Sequence, residues 1–409
     1  MKSYTIVTGD TFELISRKQY GTEAEATRVR YANPGVTEPF VVGTVIVIPD
    51  VPAAPINKAQ KTEANNEDEV AILIEGKRFR FWSEVQITRS IDSIDSIEFS
   101  APFEPDNTEF KNIIKPFSFK NIEVTVGGNI FFSGTMVNIN PDQSTDNRTV
   151  QVSGYSKPGV LSDCNFPAST FPNEFNKQTL KDIATTAAGV FGLNVVFSAD
   201  AGPVFERLYC DTHTKILAFL SDLAKQRNLI INSTPEGDLQ FLQSVDSGNA
   251  VGQLTQGVSP LISITPSFSP QEYYSHITGM SPTFVGVEGS QYTVKNIHLT
   301  TILRPFTFDI NDSLSSETES PVRAKMSRMF ASAISYNIEV ATWRSPNGNL
   351  WSPNTTIKIQ APGAMIYEPY EFLIKSVTFK GERSGRIASL SLVLPGAFSG
   401  RIPEGLPWD

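Results

Sequence analysis

The sequence predicts a β-rich α+β protein: a small N-terminal βααβ module, then two small antiparallel β-barrel domains with a helix-containing α+β region between them. Three observations predict it. Gly, Pro and Phe each number 27 among 409 residues, a composition that favours strands joined by tight turns. Period-two runs ending in turn residues occur both early and late in the chain, as in NIEVTV before Gly127-Gly128. Between them lie two apolar stripes of helical period. The length allows two to four domains.

The first module begins at YTIVTGDTFELISRKQYG, residues 4–21. Asp10 is expected to cap a helix running from about Thr11 to Tyr20, with Glu13 completing a capping box and Gly21 stopping it. Thr22-Glu23-Ala24-Glu25 signals a second helix with Ala26 and Val29 on one face, ending at Asn33-Pro34-Gly35. Residues 4–7 and 45–48 read as strands. The Gly9-Asp10-Thr11 turn, the Tyr20-Gly21 stop, the Ala32-Asn33-Pro34 turn and the closing strand 43–49 together resemble a LysM module over residues 1–49. The resemblance implies a shallow groove made by Gly9, Asp10, Thr11 and Phe12 with Asn33, Pro34, Gly35 and Val36. That groove binds N-acetylglucosamine glycans in wall-binding members and serves protein docking in others; both uses stand here.

Residues 50–69, DVPAAPINKAQKTEANNEDE, offer nothing to bury and read as a flexible linker. Residues 70–159 then read as the first barrel. Strands flank a turn at Glu75-Gly76-Lys77-Arg78. IDSIDSIEF, residues 91–99, reads as strand–turn–strand. A hairpin turns at Gly127-Gly128, and strands follow at 136–139 and 149–154.

Residues 160–260 form the middle region. Leu180, Ile183, Ala184, Ala187, Ala188 and Phe191 share one helix face ended by Gly192. Ile216, Phe219, Leu220, Leu223 and Ala224 share another. A strand at 194–197 and a hairpin of 229–231 with 239–242 accompany them. These stripes read as core.

Residues 261–395 read as the second barrel, interrupted by a helix at 320–334 with Ser320 as cap and Pro321 at its first position. Val322, Met326, Met329, Phe330 and Ala333 line its apolar face. Residues 396–409 form a tail. Residues 132–155 and 372–394 each run strand, polar turn, strand, a faint internal echo. Trp343 and Trp351 suit barrel core or rim, or an interface anchor.

Gly348-Asn349-Leu350-Trp351-Ser352-Pro353-Asn354 and Tyr370-Glu371-Phe372-Leu373-Ile374-Lys375-Ser376-Val377 carry a second resemblance. With the order barrel, helix-bearing middle, barrel, residues 70–398 resemble the hub proteins of phage contractile tails, the late-control and Mu-type family. This resemblance implies a structural protein of the virion tail baseplate, assembled in the host cytoplasm. It implies a homotrimer with pseudo-sixfold symmetry, bound to a tail tube protein, a central spike protein and other baseplate proteins, with DNA passing its lumen. The alternative is a LysM-based peptidoglycan-binding protein or a wall hydrolase accessory.

Chemistry-bearing patterns are sparse. No G-x-S-x-G, H-E-x-x-H or phosphate-loop motif occurs. Glu98, Asp106, Glu109 and Asp163 are unpaired acids that read as solvated loop charges. Cys164 and Cys210 read as thiols without a disulfide framework, and His213, His276 and His298 lack helical metal spacing. No catalytic, cofactor or metal site is expected. The net charge of −9 disfavours a general nucleic-acid binder. No apolar run reaches a membrane span, and the N-terminus shows no secretory leader, so synthesis in the cytosol is expected.

Overall fold

The computed structural model describes residues 2–20, 26–49, 68–143, 148–281, 290–310, 318–382 and 385–409. The chain divides into two compact units, Met1–Asn65 and Asn66–Asp409. The expected Gly21 stop, the Thr22–Glu25 cap and residues 50–67 of the expected linker lie outside the described residues.

The first unit runs β1 (Lys2–Thr5), α1 (Phe12–Tyr20), α2 (Ala26–Ala32), β2 (Val45–Ile48), the βααβ order read from the sequence. β1 and β2 pair antiparallel, and Ile6, Phe12, Ile15, Ala26, Val29, Ile46 and Ile48 form the core. The expected cap is corrected. Thr11, not Asp10, caps α1, its Oγ1 accepting from the Leu14 N–H at 3.2 Å. Asp10 turns inward, where its carboxylate accepts from the Val7 N–H (2.9 Å), the Tyr4 hydroxyl (3.0 Å) and Lys18 (2.6 Å). A buried carboxylate needs such a set of donors, and the first turn of a helix supplies no cation. Glu13 stays exposed and reaches Arg30 at 3.7 Å instead of closing a capping box.

The second unit opens with β3 (Val70–Ile74), β4 (Lys77–Phe79), β5 (Glu84–Ser90), β6 (Ser96–Pro102), α3 (Thr108–Ile113), β7 (Asn121–Val126), β8 (Asn129–Gln143) and β9 (Arg148–Ser156). IDSIDSIEF forms the β5–β6 turn and the start of β6. The strands expected at 130–132 and 136–139 are one 15-residue strand, β8, continuous through 133–135 and bulged between Met136 and Asn138. Helix α3 was not anticipated; Asn107 caps it through Oδ1, and Phe110 fills the core beneath.

The middle contains α4 (Val160–Asp163), β10 (Glu174–Phe175), α5 (Leu180–Gly189), β11 (Val195–Phe197), β12 (Leu208–Tyr209), α6 (Ile216–Gln226), β13 (Leu229–Ser233) and β14 (Leu239–Gln243). The apolar stripes of α5 and α6 are buried together over β14 in a core of their own. Helix α5 stops at Gly189, before the expected Gly192, whose φ of +68° serves the turn into β11.

The last part holds β15 (Ala250–Thr255), β16 (Leu261–Phe268), β17 (His276–Met280), β18 (Gln291–Lys295), β19 (Pro305–Asp309), α7 (Glu319–Ala333), β20 (Ile334–Val340), β21 (Thr356–Ala361), β22 (Ile366–Glu382) and β23 (Arg386–Val393). Strands β18-β17-β19 make a separate sheet beside α7. Ser320 is not the cap of α7. Its hydroxyl donates to the Gln226 carbonyl (3.0 Å) and accepts from Asn228 Nδ2 (2.8 Å), tying α7 to the end of α6. Trp343 and Trp351 are both core, each 1% exposed, with their indole N–H groups spent on backbone carbonyls.

Two small antiparallel β-barrels were expected. The described pairings join both stretches in one thirteen-stranded sheet, β16-β20-β23-β22-β5-β6-β9-β8-β7-β3-β4, with β21 on β22 and β15 on β21. Residues 376–382 of β22 pair antiparallel with the whole of β5, so the early and late parts share a continuous ladder. β15, placed in the middle region from sequence, belongs to this sheet.

Candidate assembly interface

The large sheet is built twice from one plan. In chain order, β3, β5, β6, β7, β8 and β9 correspond to β15, β16, β20, β21, β22 and β23. In space the orders are β5-β6-β9-β8-β7-β3 and β16-β20-β23-β22-β21-β15. Details repeat. The β8–β9 ladder shifts register between Met136 and Asn138, the β22–β23 ladder between Ile374 and Ser376. At the same place the Met136 N–H donates to the Lys120 carbonyl and the Ile374 N–H to the Thr355 carbonyl, both at 2.9 Å. One strand direction differs: β3 runs antiparallel to β7, whereas β15 runs parallel to β21. The echo of residues 132–155 in 372–394 marks this duplication, but the repeat extends over six strands.

Each half of the sheet has one apolar and one polar face. On the buried face Val85, Ile87, Val377 and Phe379 are all 0% exposed. The other face carries Gln86, Thr88, Asn138 and Ser153 in the first half, and Thr265, Asn337, Ser376 and Ser391 in the second. Thr88 and Thr378 meet across the joint between the halves, their hydroxyls 3.0 Å apart. Acids outnumber cations on this face: Glu84, Glu98, Glu123, Asp142, Glu339 and Glu382 lie on it, with Lys380 3.8 Å from Glu339. The sequence signal for this face is the alternation of apolar residues with Ser, Thr and Asn along its strands, a pattern that does not by itself tell an interface from an ordinary solvent-facing surface.

Of the expected groove residues in the first unit, three are internal. Phe12 is 1% exposed, Asp10 is spent as described, and Asn33 bridges α2 and β2: its Nδ2 donates to the Val29 (2.8 Å) and Val47 (2.7 Å) carbonyls, and its Oδ1 accepts from the Val47 N–H (2.8 Å). Gly9, Pro34 and Gly35 are exposed; Thr11 and Val36 are half-buried. The loop after α2 reaches α1 through Glu38, which accepts from the Phe12 N–H at 2.6 Å, and through Phe40, whose ring meets Phe12 edge-on at 4.8 Å.

Two of the four acids come to one cavity: Glu98 and Asp163 both line a hollow on the polar face, where Asp163 accepts from the Tyr155 hydroxyl at 2.8 Å, while Asp106 and Glu109 lie exposed around α3. Both cysteines are free, and burial pushes the Cys210 thiol up to about 11. No group of three His, Cys, Asp or Glu among the described residues is placed to hold a metal. One acid that sequence reasoning missed is Asp95. It lies in the β5–β6 turn against Arg89 (3.1 Å), and its backbone N–H donates to Ser233 Oγ of β13 (3.2 Å), joining sheet and middle region. Burial pushes its carboxyl up to about 6, against the opposing pull of Arg89.

Comparison with known proteins bears on this architecture. A family model described as Mu phage baseplate assembly protein GpP-like, N-terminal, matches residues 69–156. One described as baseplate hub protein gp44-like, second domain, matches 158–243, and one described as Mu phage baseplate assembly protein GpP, fourth domain, matches 315–401. Residues 1–57 match the Phage Tail Protein X model. Baseplate hub protein gp44 of Escherichia phage Mu is 23% identical over 324 residues, 76% of this chain and 83% of that protein. The 43 kDa tail protein of prophage MuSo2 from Shewanella oneidensis superposes with a TM-score of 0.69 at 25% identity, over 81% of this chain and 99% of its own. The tail protein from Neisseria meningitidis MC58 gives a TM-score of 0.68 at 19% identity, over 81% and 98%. Over residues 69–156, 158–243 and 315–401, this chain is similar to Mu-type baseplate hub proteins.

Proposed function

We propose that this baseplate hub protein works as a homotrimer whose six sheet halves form a pseudo-sixfold ring, joining the tail tube to the central spike. The observation that carries the reading is the duplication. A chain with two similar six-strand halves presents two similar surfaces, so three chains present six to a sixfold tube and three to a threefold spike. The polar sheet face, on which acids outnumber cations, suits the lumen. Few cations there would exchange for phosphate counterions, so DNA would pass without sticking. The role is structural rather than enzymatic, in a virion tail baseplate assembled in the host cytoplasm.

The N-terminal unit, in this reading a LysM-like module, docks neighbouring baseplate proteins through the loops at Gly9 and Pro34-Gly35. Glycan contact through the same exposed loops is the second reading. Titration with N-acetylglucosamine oligomers separates the two: saturable tight binding places peptidoglycan first.

The main test is the mass and symmetry of the purified protein, alone and with its spike. A trimer of near-sixfold appearance along its axis is expected. A chain that stays monomeric with the spike present, or a twofold particle, removes the ring.

A further inference from the structure

Among the described residues, two sheet edges lack the partner that their counterparts have. In the first half, β5 is flanked on both sides, by β6 and by residues 376–382 of β22. Its counterpart β16 pairs with β20 alone. Likewise, beyond Met136, β8 pairs only with β9, while the matching stretch of β22 also holds β5. Burial follows the pairing. Val85 and Ile87 of β5 are fully buried, but the corresponding Ile264 and Pro266 of β16 are only half-buried. Val377 and Phe379 are fully buried, but the corresponding Ile139 is half-buried and Pro141 exposed. Positions that the repeat makes core in one half are left partly wet in the other.

We infer that β16 of one chain pairs antiparallel with residues 138–143 of β8 in a second copy, repeating between chains the β5–β22 seam found within the chain. This rests on the ring reading above and specifies its interface. The repeat sets the register. Thr88 lies opposite Thr378 within the chain, so Ser267 lies opposite Asn140 of the neighbouring copy; Ile87 lies opposite Phe379, so Pro266 lies opposite Pro141. Neither proline has an N–H, so the seam between chains has two donors fewer than the seam within the chain. The ring therefore has three strong seams and three weaker ones, and comes apart into whole chains rather than half-chains.

Paired cysteines test the register in the full-length chain, alone and co-expressed with the spike. The Asn140→Cys/Ser267→Cys double variant is oxidised and run on a non-reducing gel beside each single variant, with the particle mass measured in parallel. A Thr88→Cys/Thr378→Cys variant is the geometric control and should close within one chain. Bands at two and three chain masses, in the double variant only, are expected. A particle of three chains without these bands overturns the seam and leaves the ring standing. A monomer under both conditions overturns both.

Discussion

Phe379→Ala tests whether the two sheet halves behave as one body. Phe379 is 0% exposed in β22, opposite Ile87 of β5 and Ala388 of β23. Its ring meets Phe131 edge-on at 4.9 Å and Trp343 at 5.4 Å. Phe131 comes from the first half and Trp343 from the second, so one side chain bridges both. Truncation removes the transfer energy of a buried ring and leaves a cavity between rigid strands, a cost of about 3–5 kcal/mol. For the unit Asn66–Asp409 the melting entropy is about 0.7 kcal/mol/K, so the midpoint should fall by about 4–7 °C. Calorimetry should show a single transition for the sheet, before and after the change. Hydrogen exchange should show amides of β5 and β22 losing protection together. A variant in which β20–β23 melts early while β5–β9 keeps its original midpoint would refute the continuous ladder as the unit of stability.

Two carboxylates predict opposite pH behaviour. Asp95 is pushed up to about 6 from 3.8, so its contribution is fully present below about pH 4 and is lost as pH rises through 6, in total about 3 kcal/mol. Asp95→Asn should flatten denaturant stability between pH 4 and 7, and an unchanged slope would count against the burial argument. Asp10 is held below its ordinary value: burial pulls it up, but Lys18, the Val7 N–H and the Tyr4 hydroxyl outweigh that. Its contribution is present above about pH 4 and lost on acidification. Asp10→Ala should weaken amide protection in the first unit by about 1–3 kcal/mol at pH 7, and by much less at low pH; equal losses at both would sink the assignment.

Local chemistry was legible in the sequence, and long-range partnership was not. The Gly127-Gly128 hairpin, the helix stripes of α5 and α6 and the apolar face of α7 are set by neighbours within a few residues, and the structure follows them. The cap at Asp10 failed because Lys18 and Tyr4, eight and six residues away, offered the carboxylate more than the helix terminus could. Ser320 failed as a cap because its partners, Gln226 and Asn228, lie more than ninety residues away. Nothing local in Val377 or Phe379 announces that the opposite strand begins at Glu84. The alternation shows that both strands have a buried face, but it does not name the partner. Of the groove in the first unit, the turn-forming residues were recognisable, yet Asp10, Phe12 and Asn33 are used internally. A motif that builds a loop and a motif that presents one look alike in sequence.

The two prolines explain how such a chain can fold before it assembles. An open strand edge is a template for any extended segment, and the edges of β16 and of the far arm of β8 are long enough to recruit one. Pro266 and Pro141 each remove a donor from the middle of an open edge, which penalises pairing by an unselected strand. The proposed partner edge meets the same gap with a gap of its own. It also covers Ile264 and Ile139, so apolar burial offsets the missing bonds there and nowhere else. Within the chain no such guard is needed, because β5 and β22 are tethered and meet once. Ile87 and Phe379 stand at the guarded positions, and the seam there is complete. The same plan thus gives a joint made once during folding and a joint that waits for a second copy, and the difference lies in two residues.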